Sequence, residues 1–107
     1  MKLYSVENLS NIKVDEYLGI VKGEIVQSKH FGRDFMAGMK TIVGGEIKGY
    51  TEMIEEARTI ATERMVEEAK KLGANAIIGI KYSTSAVMQG AAEILVYGTA
   101  VKIKESK

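Results

Sequence analysis

Residues 72–85, "LGANAIIGIKYSTS", contain the change of pattern that decides the fold. The residues before Gly73 follow a helical period, whereas an alternating, β-rich run begins at Ala76. Gly73 can take the positive φ that ends a helix, because it has no Cβ. Asn75 tolerates the bend that follows. The stretch therefore predicts a long helix that folds back over the strand it precedes, which is a feature of architecture and not of a reaction.

The segment before this switch, residues 51–72, predicts the long helix. Strong helix formers dominate it, with glutamates early and lysines late, so both ends complement the helix dipole. At about 100° per residue its apolar side chains cover roughly half of the circumference. They are Tyr50, Met53, Ile54, Ala57, Ile60, Ala61, Met65, Ala69 and Leu72. Packing on one sheet needs a stripe of only about 100°, so the excess predicts contact with a second copy of the chain.

This subunit contact is expected on one flank of the helix, which contains Met53, Ala57, Ile60, Arg64 and Glu68. Alanine allows a close approach of two backbones. Arg64 and Glu68 stand four residues apart and could pair across the interface and set its register. The alternative is that both long side chains extend to water.

Three strands are expected at residues 17–28, 76–85 and 93–104, the last two joined as an antiparallel hairpin. In the second strand, Ile78, Ile80, Tyr82 and Thr84 are expected to share one face. Gly19 and Gly23 predict a twisted or bulged first strand, because glycine inside a strand often marks a bend or a close approach of another backbone.

Residues 29–47 predict a short helix followed by a loop, because apolar residues from Phe31 to Ile42 recur at helical spacing and Gly44 and Gly45 would stop a helix. With no proline and no linker, residues 1–107 form a single predicted domain. The expected fold class is an α+β two-layer sandwich. An antiparallel sheet packs on one long helix, with a short helix in addition.

Composition excludes several classes of function. The chain has 107 residues, a net charge of +1 and no cysteine, which excludes disulfides, thiolate metal sites and cysteine nucleophiles. The absence of a basic block and of tryptophan argues against nucleic acid as a partner. No run approaches the ~18 apolar residues of a membrane span, and the first residues lack the apolar core of a signal peptide. These features predict a cytoplasmic protein without a membrane partner.

Four segments resemble the YbjQ family, also called UPF0145, which is sometimes labelled a "putative heavy-metal-binding domain". They are "YLGIVKGEIV", "GRDFMAGMKTIVGGEIKGYTEMIEEAR", "EEAKKLGANAIIGIKYS" and "GTAV", within residues 17–101. The resemblance implies a β-α-β-β, dodecin-subunit-like fold. It also implies a ring-shaped homopentamer in which sheets and helices of neighbouring subunits associate. Family members often carry acidic residues after the "LGAN" strand, whereas "KYSTSAV" is basic and neutral here, which argues against a cation role for that strand.

Metal ligands are sparse. His30 is the one histidine and a weak candidate, because no HxH, HxxxH or CxxC spacing accompanies it. Asp15 and Glu16 could hold a hard cation, but an exposed acidic turn explains them more simply. Ring symmetry could pool one ligand from each subunit, which keeps His30 open as a ligand.

A small-anion or metabolite site is the other candidate, in the segments "FGRDF" and "IVGGEIKGY". Arg33 could bind an anion in a bidentate manner, and Gly44 and Gly45 could present backbone N–H groups. Together with these, the candidate residues are Asp34, Glu46 and Tyr50. The simpler alternative is that Arg33 and Asp34 fix a loop and that the two glycines end a helix.

Catalysis has the least support, since no serine or cysteine nucleophile is tied to His30 by a recognisable motif. We therefore expect no enzyme and no cofactor. The leading hypothesis is a non-catalytic, homopentameric scaffold or small-ligand module that has itself as partner. The alternative is a metal- or anion-binding protein with sites pooled around the ring axis.

Overall fold

The computed structural model describes residues 1–28, 42–43, 46–88 and 90–104, and within residues 42–48 it describes the main chain alone. One helix and six strands lie in these ranges. They are β1 (Lys2–Leu3), β2 (Val14–Ser28), β3 (Ile42–Val43), β4 (Glu46–Ile47), α1 (Lys48–Lys71), β5 (Ala76–Met88) and β6 (Ala91–Ile103).

Four of the strands form one sheet in the order β1-β5-β6-β2. The predicted hairpin is confirmed, since β5 and β6 pair antiparallel, and β2 joins the other side of β6 in the same sense. The sheet is mixed, because β1 pairs with β5 in parallel at Lys2 and Leu3. The α+β fold with one long helix on one sheet is therefore as predicted, with β1 as an added edge strand.

Gly73 ends α1 as predicted, with φ of 86°. The Gly73 amide donates to the carbonyl of Lys70 at 3.0 Å, and the Ala74 amide donates to the carbonyl of Ala69 at 3.0 Å. These two bonds are the Schellman arrangement, which satisfies carbonyls left free at a helix end. The chain then enters β5 within three residues.

The main core lies between α1 and the sheet. The buried residues of α1 recur every fourth position, so neighbouring members lie one turn apart and form one continuous stripe. They are Met53, Ala57, Ala61, Met65 and Ala69. Leu72, predicted in this stripe, is 45% exposed because it lies just beyond the last helical turn.

A second, smaller core lies on the opposite face of the sheet, at the end nearest β1. Ala76, Ile78, Val101 and Ile103 are buried there. They are covered by residues that precede and begin β2, namely Tyr4, Leu9, Ile12 and Val14. This segment accounts for the apolar residues found on both faces of β6 at this end.

The predicted short helix falls mostly outside the described residues, which do not include Phe31, Phe35 or Met39. Ile42 is not helical but lies in β3, where it pairs with Ile47 of β4. The helix predicted from the apolar spacing therefore does not include Ile42. Within the described ranges, no helix combines the length and the apolar character needed to cross a membrane.

Candidate functional site

The predicted anion and metal residues are only partly covered by the described ranges. His30, Arg33, Asp34, Gly44 and Gly45 lie outside them. Glu46 lies in β4, where the main chain alone is described. Tyr50 is half-buried in the first turns of α1 and packs against the main core. The anion site therefore remains a prediction, with Tyr50 in contact with the core.

Two of the predicted subunit-contact residues need correction. Met53 is 6% exposed and Ala57 is fully buried, because the every-fourth-residue stripe packs both of them on the chain's own sheet. They have little surface left for a partner. Ile60 is half-buried, while Arg64 and Glu68 are exposed, so a subunit contact at these three residues stays a prediction.

Arg64 and Glu68 have partners within the chain. The guanidinium of Arg64 donates to the main-chain carbonyl of Glu24 on β2, at 2.7 Å. The Glu68 carboxylate lies 3.6 Å from the ammonium of Lys71. Arg64 therefore bridges α1 to strand β2 in the single chain.

Along the second half of β5, one edge of the sheet has no partner among the described strands. The N-terminal segment accompanies only the start of β5, where the Gly79 amide donates to Val6 and the Ile80 amide donates to Tyr4. From Lys81 to Met88 every residue of β5 is exposed, and no described strand pairs on its outer side. Large apolar side chains are among them, with Val87 at 48% and Met88 at 68% exposure.

The opposite edge of the sheet is formed by β2. Among the described strands, β2 pairs with β6 alone along its 15 residues. Arg64 occupies one main-chain acceptor of this edge, the carbonyl of Glu24. Unpaired edges attract further strands, because each presents a row of free N–H and C=O groups.

A groove of about 760 Å³ runs between α1 and the free edge of β5. The Thr62 hydroxyl and the Tyr82 hydroxyl are 2.9 Å apart at its floor, which ties the helix to β5. Its apolar contacts come from Leu3, Val66 and Tyr82, with Arg58 and Lys70 among the charged residues. An incoming strand on β5 would lay its side chains in this groove.

A carboxylate pair lies near the β2 edge, on the face of the sheet away from α1. Its members are Glu24 of β2 and Glu93 of β6, on diagonal register positions. A side-chain hydrogen bond with Glu24 raises the pKa of Glu93, and desolvation and the Glu24 charge raise this pKa further, while Lys22 lowers it. Lys22 also pairs with Glu24 at 3.6 Å.

The unpaired edges and the carboxylate pair had little or no signal in the sequence analysis. One signal was available for the β5 edge. The run "YSTSAVM", residues 82–88, continues the strand but has only small or polar residues at positions 83–86. A strand segment without alternating large apolar residues is typical of a strand that extends past the core. The Glu24–Glu93 pair depends on strand register, which is a long-range property.

Comparison with known proteins identifies the family. The family model described as "Putative heavy-metal-binding" matches residues 1–104. The chain belongs to the UPF0145 family. It is 66% identical over 103 residues to the UPF0145 protein of Helicobacter hepaticus, covering 96% of this chain and 98% of that protein. The UPF0145 protein of Thermotoga maritima is 58% identical over 105 residues, covering 98% and 99%.

The predicted family resemblance is thus confirmed. A UPF0145 protein of Thermus thermophilus is 53% identical over 103 residues, covering 96% of this chain and 90% of that protein. The fold is similar to a crystal structure from Pediococcus pentosaceus, described as a protein with unknown function of the DUF74 family. It has a TM-score of 0.60 and 17% identity, and covers 97% of this chain and 98% of that one. None of these names describes a catalytic activity.

The described residues do not fit the heavy metal that the family model's description names. Soft heavy-metal ions prefer thiolate, thioether and imidazole ligands. The chain has no cysteine and one histidine. Within residues 1–28, 42–43, 46–88 and 90–104, no three side chains of the types His, Cys, Asp and Glu converge on one point. Glu24 and Glu93 offer hard oxygen ligands, which soft ions do not prefer. The ammonium of Lys22 beside them would also compete with a metal cation for the carboxylate charge.

Proposed function

We propose that this protein is a non-catalytic module that assembles head-to-tail into a ring of identical subunits, a homopentamer. The observation that carries the proposal is a pair of edges on opposite sides of one sheet, residues 14–27 of β2 and residues 81–88 of β5, to which no other described strand is hydrogen-bonded. In such an arrangement the β5 edge of one subunit pairs with the β2 edge of the next.

Two different edges make a heterologous contact, which closes into a ring when the rotation between subunits permits closure. Closure also removes the hazard of open edges, because each edge is then hydrogen-bonded. The unpaired stretch of β5 is eight residues long, from Lys81 to Met88, and β2 has 15 residues. The β2 edge is therefore long enough to pair with the whole free stretch.

The flank of α1 supports the same assembly. The groove beside β5 lies next to the free edge and offers Val66 and Tyr82 to the neighbour's side chains. Ile60 is half-buried in the single chain and would gain cover from a neighbouring helix. Arg64 caps a carbonyl of the β2 edge, so it stands where the neighbour's β5 arrives and can contribute to register.

Multi-angle light scattering with size-exclusion chromatography tests the assembly. We expect a mass of five chains at micromolar concentration. A monomer under these conditions would reject the proposal. A different closed number would retain ring assembly and reject five.

The edge contact is tested with one substitution in β5. The Ile80 amide donates to Tyr4, on the side of β5 away from β6. The side to which the N–H groups point alternates along a strand, so the Thr84 amide, four residues later, also points away from β6. Thr84→Pro removes this amide and is expected to reduce the assembled mass, since proline cannot donate to a neighbouring strand. Thr84→Val is the matched control, because it keeps the amide. If both variants assemble equally well, β5 is not the contact.

The helix flank is tested with Ile60→Glu, which places a charge at the predicted contact while sparing the buried stripe. Met53 is unsuitable for this purpose, because its substitution would disrupt the chain's own core. Glu52→Gln is the matched control on the same helix, at an exposed position. An assembled mass unchanged by Ile60→Glu would remove α1 from the proposed interface.

A further inference from the structure

A second concavity lies on the face of the sheet opposite α1, which we call the outer face. It has a volume of about 510 Å³ and is centred on Thr99 of β6. Its principal lining residues are Tyr17, Ile20, Ile78, Lys81, Tyr97 and Thr99. It shares Lys81 with the free stretch of β5, and it has no lining residue in common with the groove beside α1.

A β-bulge in β2 forms one side of this concavity. The register steps from Tyr17 opposite Val101 to Gly19 opposite Ala100, so β2 contains one extra residue at this point. Gly19 has φ of 122°, which side chains with a Cβ rarely adopt. As a result Leu18 packs towards the main core, while Tyr17 and Ile20 remain on the outer face.

A second bulge, in β5, forms the opposite side. The register steps from Ile78 opposite Thr99 to Lys81 opposite Tyr97, so two residues of β5 stand against one residue of β6. Gly79 takes φ of 65° there. The bulge sends Ile80 to the main core and directs both Ile78 and Lys81 to the outer face.

Both bulges face the same short stretch of β6, residues 97–101. Bulges bend a strand and re-aim its side chains, and they are frequent beside functional sites. Here they direct large side chains from both neighbouring strands around the small Thr99. The apolar surface is left open to solvent, with Tyr17 at 69% and Ile20 at 81% exposure.

One wall of the concavity is held in place by main-chain bonds. Glu7 and Asn8 line it, and they belong to the segment that precedes β2. The Gly79 amide donates to the Val6 carbonyl at 2.8 Å, which fixes this segment beside Glu7. The wall is therefore part of the folded chain.

Lys81 supplies the cation of the concavity. Its ammonium lies 3.4 Å from the Glu7 carboxylate, and the two side chains are 54% and 74% exposed. A pair this exposed contributes little net free energy, so an anionic group can replace Glu7 as the partner of Lys81. Lys22 lies across from Tyr97 but is paired with Glu24 at 3.6 Å, so Lys81 is the cation that lines the concavity.

We propose that this concavity binds a small planar aromatic anion, with the ring against Tyr97 and Ile20 and the anionic group on Lys81. Aromatic and aliphatic walls with a few placed polar groups are the usual construction of small-molecule sites, and the volume is in their range. This site goes beyond the proposed assembly and does not depend on it.

The test uses three naphthalene probes that differ in charge: 2-naphthoate, neutral 2-naphthamide and cationic 2-naphthylmethylammonium. Each is titrated into the ¹⁵N-labelled full-length chain and followed by amide chemical shifts. We expect the largest shifts at Tyr97, Thr99 and Gly79, and the tightest binding for 2-naphthoate. Shifts centred elsewhere, no shifts at millimolar probe, or tighter binding of the cation would overturn the proposal.

Two substitutions separate the charge from the ring contact. Lys81→Met is expected to weaken 2-naphthoate by about threefold to tenfold and 2-naphthamide by less than about twofold. Thr99→Leu fills the centre of the concavity and should weaken all three probes. Lys104→Met, at an exposed lysine beyond the end of β6, is the matched control and should change none. An equal loss of 2-naphthoate and 2-naphthamide in Lys81→Met would remove Lys81 from the site.

Discussion

Gly23 of β2 lies so close to Ala61 of α1 that the Ala61 carbonyl oxygen occupies the place of a Cβ on residue 23. The same Cβ would lie 2.7 Å from the amide nitrogen of Met65. Both obstacles are main-chain atoms, so a side chain at residue 23 requires α1 to move away from the sheet. The position of the helix thus depends on a glycine in the strand and an alanine in the helix.

Gly23→Ala is expected to lower the free energy of unfolding by about 3 kcal/mol, at the upper end of the range for overpacked cores, because rigid backbone cannot yield locally. Urea denaturation followed by circular dichroism measures this. Lys22→Ala, at the neighbouring exposed position, is the control and should change the value by less than about 0.5 kcal/mol. A wild-type midpoint in Gly23→Ala would contradict the close contact.

Gly73→Ala is expected to lower the free energy of unfolding by about 1 kcal/mol, because alanine must adopt a positive φ at the end of α1. Gly73→Asn should recover part of this loss, since asparagine tolerates that conformation better. Urea denaturation of both variants gives the order. Equal stability of the alanine variant and the wild type would show that the Schellman turn is not required.

The side-chain amide of Asn75 pairs with the main chain of Ile103 through two hydrogen bonds, as a neighbouring strand would. Its amide nitrogen donates to the Ile103 carbonyl at 2.9 Å, and its amide oxygen accepts from the Ile103 N–H at 2.8 Å. Asn75→Ala leaves both main-chain groups without this partner, so we expect a loss of about 2 kcal/mol and faster hydrogen exchange at Ile103. Asn75→Asp keeps only the acceptor and should leave Ile103 exchange slower than in the alanine variant.

Features that depend on neighbouring residues were predictable from the sequence. The period of α1, the turn at Gly73 and the alternation of β6 are local, and all were confirmed. The irregularity expected in the first strand was also confirmed, as a bulge at Gly19. A glycine between apolar residues is a local signal, which is why this irregularity could be anticipated.

Features that depend on distant residues were not predictable. Ile78 was expected on the same face as Ile80, but the bulge at Gly79 places Ile78 on the outer face and Ile80 in the main core. Met53 was expected at a subunit contact, although α1 rotates it onto its own sheet. A wide apolar stripe does not specify which part of it faces the sheet, because that depends on the close approach at Gly23.

In the candidate functional site, too, features set by neighbouring residues were predictable and features set by distant residues were not. The subunit contact was predicted from the excess apolar width of the helix, and for Ile60, Arg64 and Glu68 it stays a prediction. The free edge of β5 was missed because it depends on how short β1 is, at two residues. The concavity at Thr99 was missed because two separate bulges must meet at one level of β6.

The Glu24–Glu93 pair predicts a pH dependence with a definite sign. The pKa of Glu93 is raised above 4.5 in the folded chain, chiefly by the hydrogen bond with Glu24, so folding favours the protonated form. The stabilising contribution of Glu93 is complete below pH 4.5 and is lost as the pH rises through the raised pKa. We therefore expect Glu93→Gln to become more stable relative to the wild type as the pH rises through this window, in urea denaturation at a series of pH values.

Glu24→Gln removes the same pair from its other side and should reduce the pH dependence of stability in the same window. The double variant should add little to either single one, because both remove one interaction. Parallel stability curves for Glu93→Gln and the wild type would show that the two carboxyl groups do not share a proton.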